Sequence, residues 1–356
     1  MSTNLLILPG DGIGPEIVTA TLVVLRQVDA RFSLELDYET REIGLATLRR
    51  DGTTLPPAVL EAVERSDGVI LGPVSHLDYP PAEQGGVNPS GILRTHFKLY
   101  ANVRPARSRE GMTILRHPMD LVIVRENTEG FYADRNMAVG IGEFMPTPDM
   151  ALAVRKVTAE ACRRIARTAF ELARTRRRHV TAVHKQNVLR MSDALFLREV
   201  RAVAADYRDV TLDDTLVDAM AAHLVRDPSR YDVIVTTNMF GDILSDEASE
   251  LAGSLGLGAS LNAGEKRAVA QAQHGSAPDI AGQDRANPTA LLLSAAMLLR
   301  WLSARRGGAF VAAADAIEAA VEAALATPTD RTADLGGPLG TQAFAAVVAG
   351  RIAAPQ

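Results

Sequence analysis

Residues 8–16 of the 356-residue chain read Leu8-Pro9-Gly10-Asp11-Gly12-Ile13-Gly14-Pro15-Glu16. The apolar run at 4–8 predicts a strand and the periodicity of 15–27 predicts a helix, so this glycine turn joins the two. A turn so placed invites comparison with the G-x-G-x-x-G fingerprint that cradles a dinucleotide pyrophosphate. Gly10 and Gly12 satisfy its first two positions. The third falls on Pro15, a residue without an N–H that suits the first turn of a helix. The acid expected ~20 residues further on is not distinct either. The motif reads as a structural turn rather than a Rossmann phosphate site.

Outward from this turn, short apolar runs alternate with helical patterns. Strands are expected at 68–71, 121–124, 179–183 and 232–236, and helices at 158–174, 192–205, 242–252, 288–302 and 312–326. Alternation of this kind predicts an α/β fold. Residues 133–150 break the pattern. They contain Gly140, Gly142, Pro146 and Pro148, show no period, and are long for a connection. They read either as a flexible loop or as an arm that pairs outside its own domain.

The length exceeds what one compact core accommodates and predicts two domains. With 47% hydrophobic and 23% charged residues the chain has a globular balance. A net charge of −5 gives no basic footprint for nucleic acid. The one basic run, Arg174, Arg176, Arg177, Arg178 and His179, lies between a helix and a strand and reads as a solvated loop. The single cysteine, Cys162, excludes an intramolecular disulfide and fits a reducing cytoplasm. The N-terminus lacks the basic and apolar regions of a signal peptide. The longest apolar stretch, 290–299, is shorter than the ~20 residues of a membrane helix. No membrane partner is expected.

Several segments could carry chemistry. In Asn238-Met239-Phe240-Gly241-Asp242-Ile243-Leu244-Ser245-Asp246, a helix is expected to begin near Gly241. Asp242 and Asp246, four apart, would share a face. Such a pair suits a hard cation such as Mg2+ or Mn2+; acids near a helix start also simply favour the macrodipole. Arg94, Arg104 and Arg125 stand near predicted element ends. Their planar guanidinium groups bind carboxylates in a fork, provided the fold gathers them. Lys185 follows a strand and Tyr132 follows Arg125-Glu126-Asn127-Thr128-Glu129-Gly130. Either can exchange a proton if neighbouring cations lower its pKa, and either could equally be a snorkelling or half-buried side chain. Residues 274–282, HGSAPDIAG, read as a loop.

Taken in order, these segments resemble the β-decarboxylating dehydrogenases that act on isocitrate, 3-isopropylmalate, homoisocitrate and tartrate or D-malate. The matching stretches are LPGDGIGPE at 8–16, LYANVRPARS at 99–108, DLVIVRENTEG at 120–130, HKQN at 184–187, DVIVTTNMFGDILSD at 232–246, HGSAPDIAG at 274–282, ANP at 286–288 and DLGGPLGT at 334–341. They cover nearly the whole chain, and their order and spacing are highly specific. LYANVRPARS most resembles the homoisocitrate branch.

The resemblance implies a two-domain α/β fold without standard Rossmann topology. A large cofactor-binding domain would be built from 1–99 and 253–356, and a small one from 100–252. The small domain would carry the interface of a homodimer, with an intersubunit clasp near 133–150. The resemblance also implies that Arg94, Arg104 and Arg125 bind the carboxylates of a malate unit, with Asn88 and Ser90 contacting its substituent. Tyr132 is implied as a catalytic acid and Lys185 as the base or its partner, reaching in from the second subunit. Asp242 and Asp246 would hold the metal with Asp218 of the other subunit. Asn187 would approach the nicotinamide, and His274, Gly275, Ser276, Ala277, Pro278, Asp279, Ile280 and Asn287 would hold the adenosine half.

Asp279 and Ile280 occupy positions where NADP-dependent members carry lysine and tyrosine. A carboxylate accepts hydrogen bonds from ribose hydroxyls and repels a 2′-phosphate, so NAD is expected. Two features depart from the isopropylmalate pattern and a third from the pattern of the family as a whole. Ser90 stands where those enzymes usually place leucine, residues 72–77 replace a GAVGGPKW-like segment, and Gln271 replaces a glutamate near the nicotinamide. A polar pair at Asn88 and Ser90 favours a polar or small substituent. The expected substrate is therefore a hydroxy di- or tricarboxylate of isocitrate or homoisocitrate type, with 3-isopropylmalate, D-malate and tartrate as alternatives. A non-catalytic regulatory subunit would be expected to lack Tyr132, Lys185 or an aspartate; all are present. A nucleotide-binding protein without redox chemistry would need neither the three arginines nor the three aspartates.

Overall fold

The computed structural model describes residues 2–131 and 142–353. In chain order its strands are β1 (Thr3–Leu8), β2 (Leu36–Thr40), β3 (Gly68–Leu71), β4 (Ala101–Arg107), β5 (Asp120–Glu126), β6 (Glu143–Thr147), β7 (Met150–Ala153), β8 (His179–His184), β9 (Thr211–Leu216), β10 (Val233–Thr236), β11 (Leu261–Ala263) and β12 (Ala268–Gln271). The chain forms two compact units. One comprises Met1–Leu93, Ser254–Leu261 and Lys266–Gln356; the other comprises Arg94–Gly253 and Asn262–Glu265.

In the first unit the strands run β2-β1-β3-β12, all parallel. Every residue of β3 and β12 is buried, as expected where helices cover both faces of a parallel sheet. Helix Gly14–Phe32 buries Ile17, Val18, Thr21, Val24, Leu25 and Val28, a stripe at helical spacing. It packs on helices Thr289–Arg306, Gly308–Ala326 and Thr341–Ala353. The apolar stretch around 290–299 lies in Thr289–Arg306, which is buried nearly all round. No helix among the described residues is long and apolar enough to cross a membrane.

The glycine turn is fixed by its own backbone. Gly10 and Gly12 have φ of +74° and +57°, a region that favours glycine. A Cβ at Gly12 would stand 2.0 Å from the Ser276 carbonyl oxygen. Three of the turn's amides are already engaged: Asp11 donates to Pro73 O at 2.8 Å, Ile13 to Ser276 O at 2.8 Å and Gly14 to Asp11 O at 2.9 Å. The Asp11 carboxylate accepts from the amides of Leu45 (2.8 Å) and Ser75 (3.0 Å) and from the Tyr79 hydroxyl. These glycines serve close chain approach, not a phosphate.

The second unit contains β4-β5-β10-β8-β9, antiparallel at β4–β5 and parallel thereafter. Strand side chains alternate between faces, and both faces are buried. Val122, Val124, Val180, Ala182, Val233 and Val235 meet Ile165 and Phe170 of helix Ala159–Arg174 and Phe196 and Val200 of helix Ser192–Ala204. On the opposite face Leu121, Ile123, Val183 and Ile234 meet Met220 and Leu224 of helix Val217–Arg226 and Leu244 and Ala248 of helix Asn238–Ala252.

Strands β6 and β7 form a separate antiparallel pair whose residues are all exposed. The expected arm or loop at 133–150 thus contains a hairpin from Glu143. Residues 132–141 lie outside the described residues, and with them Tyr132.

Candidate active site

In the second unit, helix Asn238–Ala252 supplies the acidic pair. It starts at Asn238 rather than near Gly241, and its first turn holds no acid. Asp242 and Asp246 therefore stand one and two turns in, beyond the reach of a macrodipole effect that fades within the first turn. The helix-start explanation for the two acids does not hold. The earlier start follows from Thr237, whose extended backbone precedes the helix.

The fold does gather the three arginines. Arg125 lies one residue before the end of β5, within its buried run, and is 2% exposed. Its Nε and Nη2 donate to Asn238 Oδ1 at 2.9 and 2.6 Å, and its Nη1 pairs with Asp242. Gly241 makes this possible, because a Cβ there would lie 2.7 Å from the Arg125 stem. Arg104, on β4, is 5% exposed. Its Nη1 meets Ser245 Oγ at 2.6 Å and Oδ1 of both Asp242 and Asp246 at 3.3 Å. Asn102 Oδ1 accepts from its Nε at 2.5 Å. Arg94 lies near the end of helix Pro89–His96. Its Nε is buried without a hydrogen-bond partner.

Burial, with Arg125 and then Arg104 nearby, pushes Arg94 down to about 9. Burial and Arg125 push Arg104 down to about 10. Both stay charged at neutral pH, so the shifts mark a place that calls for an anion. Burial raises the Asp246 carboxyl, opposed by Arg104, with Asp242 adding to the rise. Three guanidinium groups face two carboxylates, which leaves a positive excess for substrate carboxylates to neutralise.

The donor set suits a hard cation in part. The arginine contacts fall on Oδ1 of Asp242 and Asp246, which leaves an Oδ2 on each, one turn apart on the helix face. Oxygen ligands of this kind fit Mg2+ or Mn2+. Among the described residues, however, no group of three or more acidic, histidine or cysteine side chains is placed to hold a metal. Asp218, in the first turn of helix Val217–Arg226, instead accepts from Lys185 Nζ at 2.5 Å. That ammonium holds the Asp218 carboxyl below the usual range. Neither Lys185 nor Asp218 hydrogen-bonds or ion-pairs with Arg94, Arg104, Arg125, Asp242 or Asp246; they pair with each other. Lys185 is anchored by its amide, which donates to Asp193 Oδ2 at 2.6 Å. Asn187 is exposed in the turn that follows.

The first unit carries the expected cofactor loop. His274 Nε2 is buried without a partner, while Nδ1 contacts Gly275 O at 3.0 Å. Burial lowers this histidine's pKa, keeping the ring neutral. Gly275 faces open space. Ser276 is held by Ser75 Oγ at 2.8 Å, and Ala277 turns the chain at φ +37° into Pro278–Ile280. Asp279 is exposed and Ile280 partly so. Asn287 is engaged at both ends of its amide, with Asp334 Oδ2 at 3.0 Å and the Thr289 amide at 3.0 Å. The loop thus offers free groups of the type an adenosine moiety needs.

Asn88 Oδ1 accepts from the Gly91 amide at 3.2 Å, and Ser90 Oγ donates to Gln271 Oε1 at 2.8 Å. Asn102, Asn238, Gly241 and Ser245 were not singled out from sequence as site residues. The run Asn238–Asp246 held three of them, and the signal was its density of polar side chains around one glycine.

Comparison with known proteins decides the family. The model of the isocitrate/isopropylmalate dehydrogenase family matches residues 4–348. The chain belongs to this family. It is a dehydrogenase of the decarboxylating type. Family members use NAD and a divalent metal and act on hydroxy polycarboxylic acids. The chain is 42% identical to a 3-isopropylmalate dehydrogenase of Archaeoglobus fulgidus, over 97% of this chain and 98% of that protein. It is 41% identical to an isocitrate/homoisocitrate dehydrogenase of Thermus thermophilus, over 98% of each. The crystal structure of an isocitrate dehydrogenase from Methylococcus capsulatus matches with a TM-score of 0.88 at 38% identity, covering 99% of this chain and all of the other. These family relationships accord with an α/β fold outside the standard Rossmann topology.

Proposed function

We propose that this dehydrogenase oxidises and decarboxylates a 3-substituted (2R)-malate with a polar substituent, of isocitrate or homoisocitrate type, using NAD and Mg2+ or Mn2+ in a homodimer. The observation that carries this reading is the cluster of Arg94, Arg104 and Arg125 around Asp242 and Asp246, with its positive excess and its uncommitted carboxylate oxygens. The polar pair Asn88 and Ser90 supports a polar substituent, since an apolar branch gains little beside hydrogen-bonding groups.

The three arginines hold the carboxylates of the malate unit and fix its orientation. Asp242 and Asp246, joined by Asp218 from the second subunit, hold the cation. The cation would supply polarisation of the oxygen on C2, and NAD would supply the hydride acceptor. Lys185 accepts the hydroxyl proton or relays it. The carboxylate on C3 then leaves as CO2, its bonding electrons remain on the substrate, and Tyr132 returns a proton to carbon. Asp279 selects NAD by repelling a 2′-phosphate.

Two measurements test this. Purified protein with NAD and Mn2+ should turn over isocitrate or homoisocitrate with a higher kcat/KM than 3-isopropylmalate, D-malate or tartrate; the reverse order overturns the substrate reading. Tyr132→Phe and Lys185→Ala should each lower turnover roughly a hundredfold or more with the fold intact. Near-normal rates in either variant overturn the role given to that residue.

A further inference from the structure

Arg155 stands two residues beyond β7 and carries its charge inward. Its side chain is 8% exposed, and that of Asp193, which it meets, is fully buried. Nη1 donates to Asp193 Oδ1 at 2.5 Å and to Ser192 Oγ at 3.0 Å, and Nη2 donates to Thr237 Oγ1 at 2.9 Å. Thr237 immediately precedes helix Asn238–Ala252, yet its side chain caps no helix amide. Its oxygen accepts from Arg155 instead. The guanidinium also lies 5.5 Å from the ring of Phe240 on the same helix. Asp193, in the first turn of helix Ser192–Ala204, passes the tie on. Its second oxygen, Oδ2, accepts from the Lys185 amide at 2.6 Å. The Lys185 carbonyl accepts from the Val188 and Leu189 amides at 2.9 and 2.8 Å. One buried ion pair thus joins the backbone of Lys185 to the start of the helix that carries Asp242 and Asp246. All these residues belong to the second unit.

We propose that Arg155 and Asp193 are positioning residues for the proton transfer: Asp193 fixes the backbone of Lys185, and Arg155 fixes Asp193 against the start of the acidic helix. The assignment rests on the role proposed above for Lys185. A buried ion pair is a weak stabilising device, because desolvating two charges offsets much of their attraction. What it supplies here is direction. The two carboxylate oxygens are divided between a guanidinium and a peptide N–H, and a charged acceptor makes the shorter, stronger bond to each. Lysine carries its ammonium on a long flexible stem, so that group returns to one place only if the backbone beneath it stays still. In Asp193→Asn the side chain keeps one acceptor and gains a donor. The donor must face either Arg155 or the Lys185 amide, and one of the two ties is lost.

The test compares wild type, Asp193→Asn, Lys185→Ala and the double variant, with NAD, Mn2+ and whichever of the five hydroxy acids the wild type turns over fastest. Asp193→Asn should lower kcat about thirtyfold, inside the ~100-fold that a misplacement of about 1 Å costs. KM for the hydroxy acid should stay within about threefold, since the three arginines keep their partners. In the Lys185→Ala background the same change should cost less than about threefold, because no ammonium is left to misplace. Hydrogen exchange reads the tie without turnover. The Lys185 amide should exchange about tenfold faster in Asp193→Asn, with the amides of β8 unchanged. Equal losses with and without Lys185 overturn the proposal. So do an unchanged kcat, or faster exchange throughout the second unit, which would mark a general loosening. If Asp193→Asn does not fold, Arg155→Lys carries the test. It keeps a cation beside Asp193 but not the fork that spans Ser192, Asp193 and Thr237, and should show the same pattern at about tenfold. Near-normal turnover in Lys185→Ala overturns the role of Lys185 and this assignment with it. An impaired Lys185→Ala with additive losses overturns only the assignment.

Discussion

The turn at residues 10–15 and the loop at residues 274–280 belong to one unit and touch each other through Ile13 N and Ser276 O. They differ in what they leave free. The turn looks like a phosphate cradle, yet three of its amides are given to nearby carbonyls and its glycines are pressed against backbone. The loop looks like an ordinary connection, yet it keeps a buried unpartnered ring nitrogen at His274, an open face at Gly275 and an exposed carboxylate at Asp279. A glycine-rich motif binds an anion only if its N–H groups are unspent. Here the motif supplies the wall and the plain loop supplies the contacts.

Three changes would break or sharpen that contrast. Gly12→Ala should be the most damaging, costing about 3 kcal/mol, because the site combines positive φ with a backbone oxygen where the methyl would go. Urea unfolding measures it, and wild-type stability would show that the turn is not sealed. His274→Gln should act through pH. The buried ring takes up a proton less readily than the unfolded chain. Wild-type stability should therefore fall as pH drops below about 6.5, where the unfolded histidine charges first. The variant should show a shallower acid slope, and an unchanged slope would mean the ring is as accessible folded as unfolded. Gly275→Ala should be mildest, within about 0.5 kcal/mol in stability, with its effect seen as a higher KM for NAD. A stability loss matching Gly12→Ala would erase the distinction.

Much of the second unit was legible because strands buried on both faces read as unbroken apolar runs, as at 121–124 and 233–235. Strand β9 was not, since its Thr-Leu-Asp-Asp-Thr-Leu run, at the end of the strand order, is mostly polar and only partly buried. The start of helix Asn238–Ala252 was misplaced because Gly241 read as a boundary. Its actual task is to admit the stem of Arg125. That requirement spans more than a hundred residues, and no local pattern records it. The same holds for Ser90 and Gln271, each visible as a departure from the family pattern but visible as a pair only in the fold. Asp218 and Lys185 were legible as individuals. Their mutual ion pair was not, because it joins the end of β8 to a helix that local patterning had not marked.

Helix Asn238–Ala252 has two duties. One face carries Asp242, Ser245 and Asp246 to the arginines, while Leu244, Ala248 and Leu251 sit in the core. No linker separates the working groups from the packing. Catalysis is therefore a thermometer for the second unit: warming that loosens this core displaces the acidic pair at the same moment, and heat inactivation tracks the melting of that unit rather than running ahead of it.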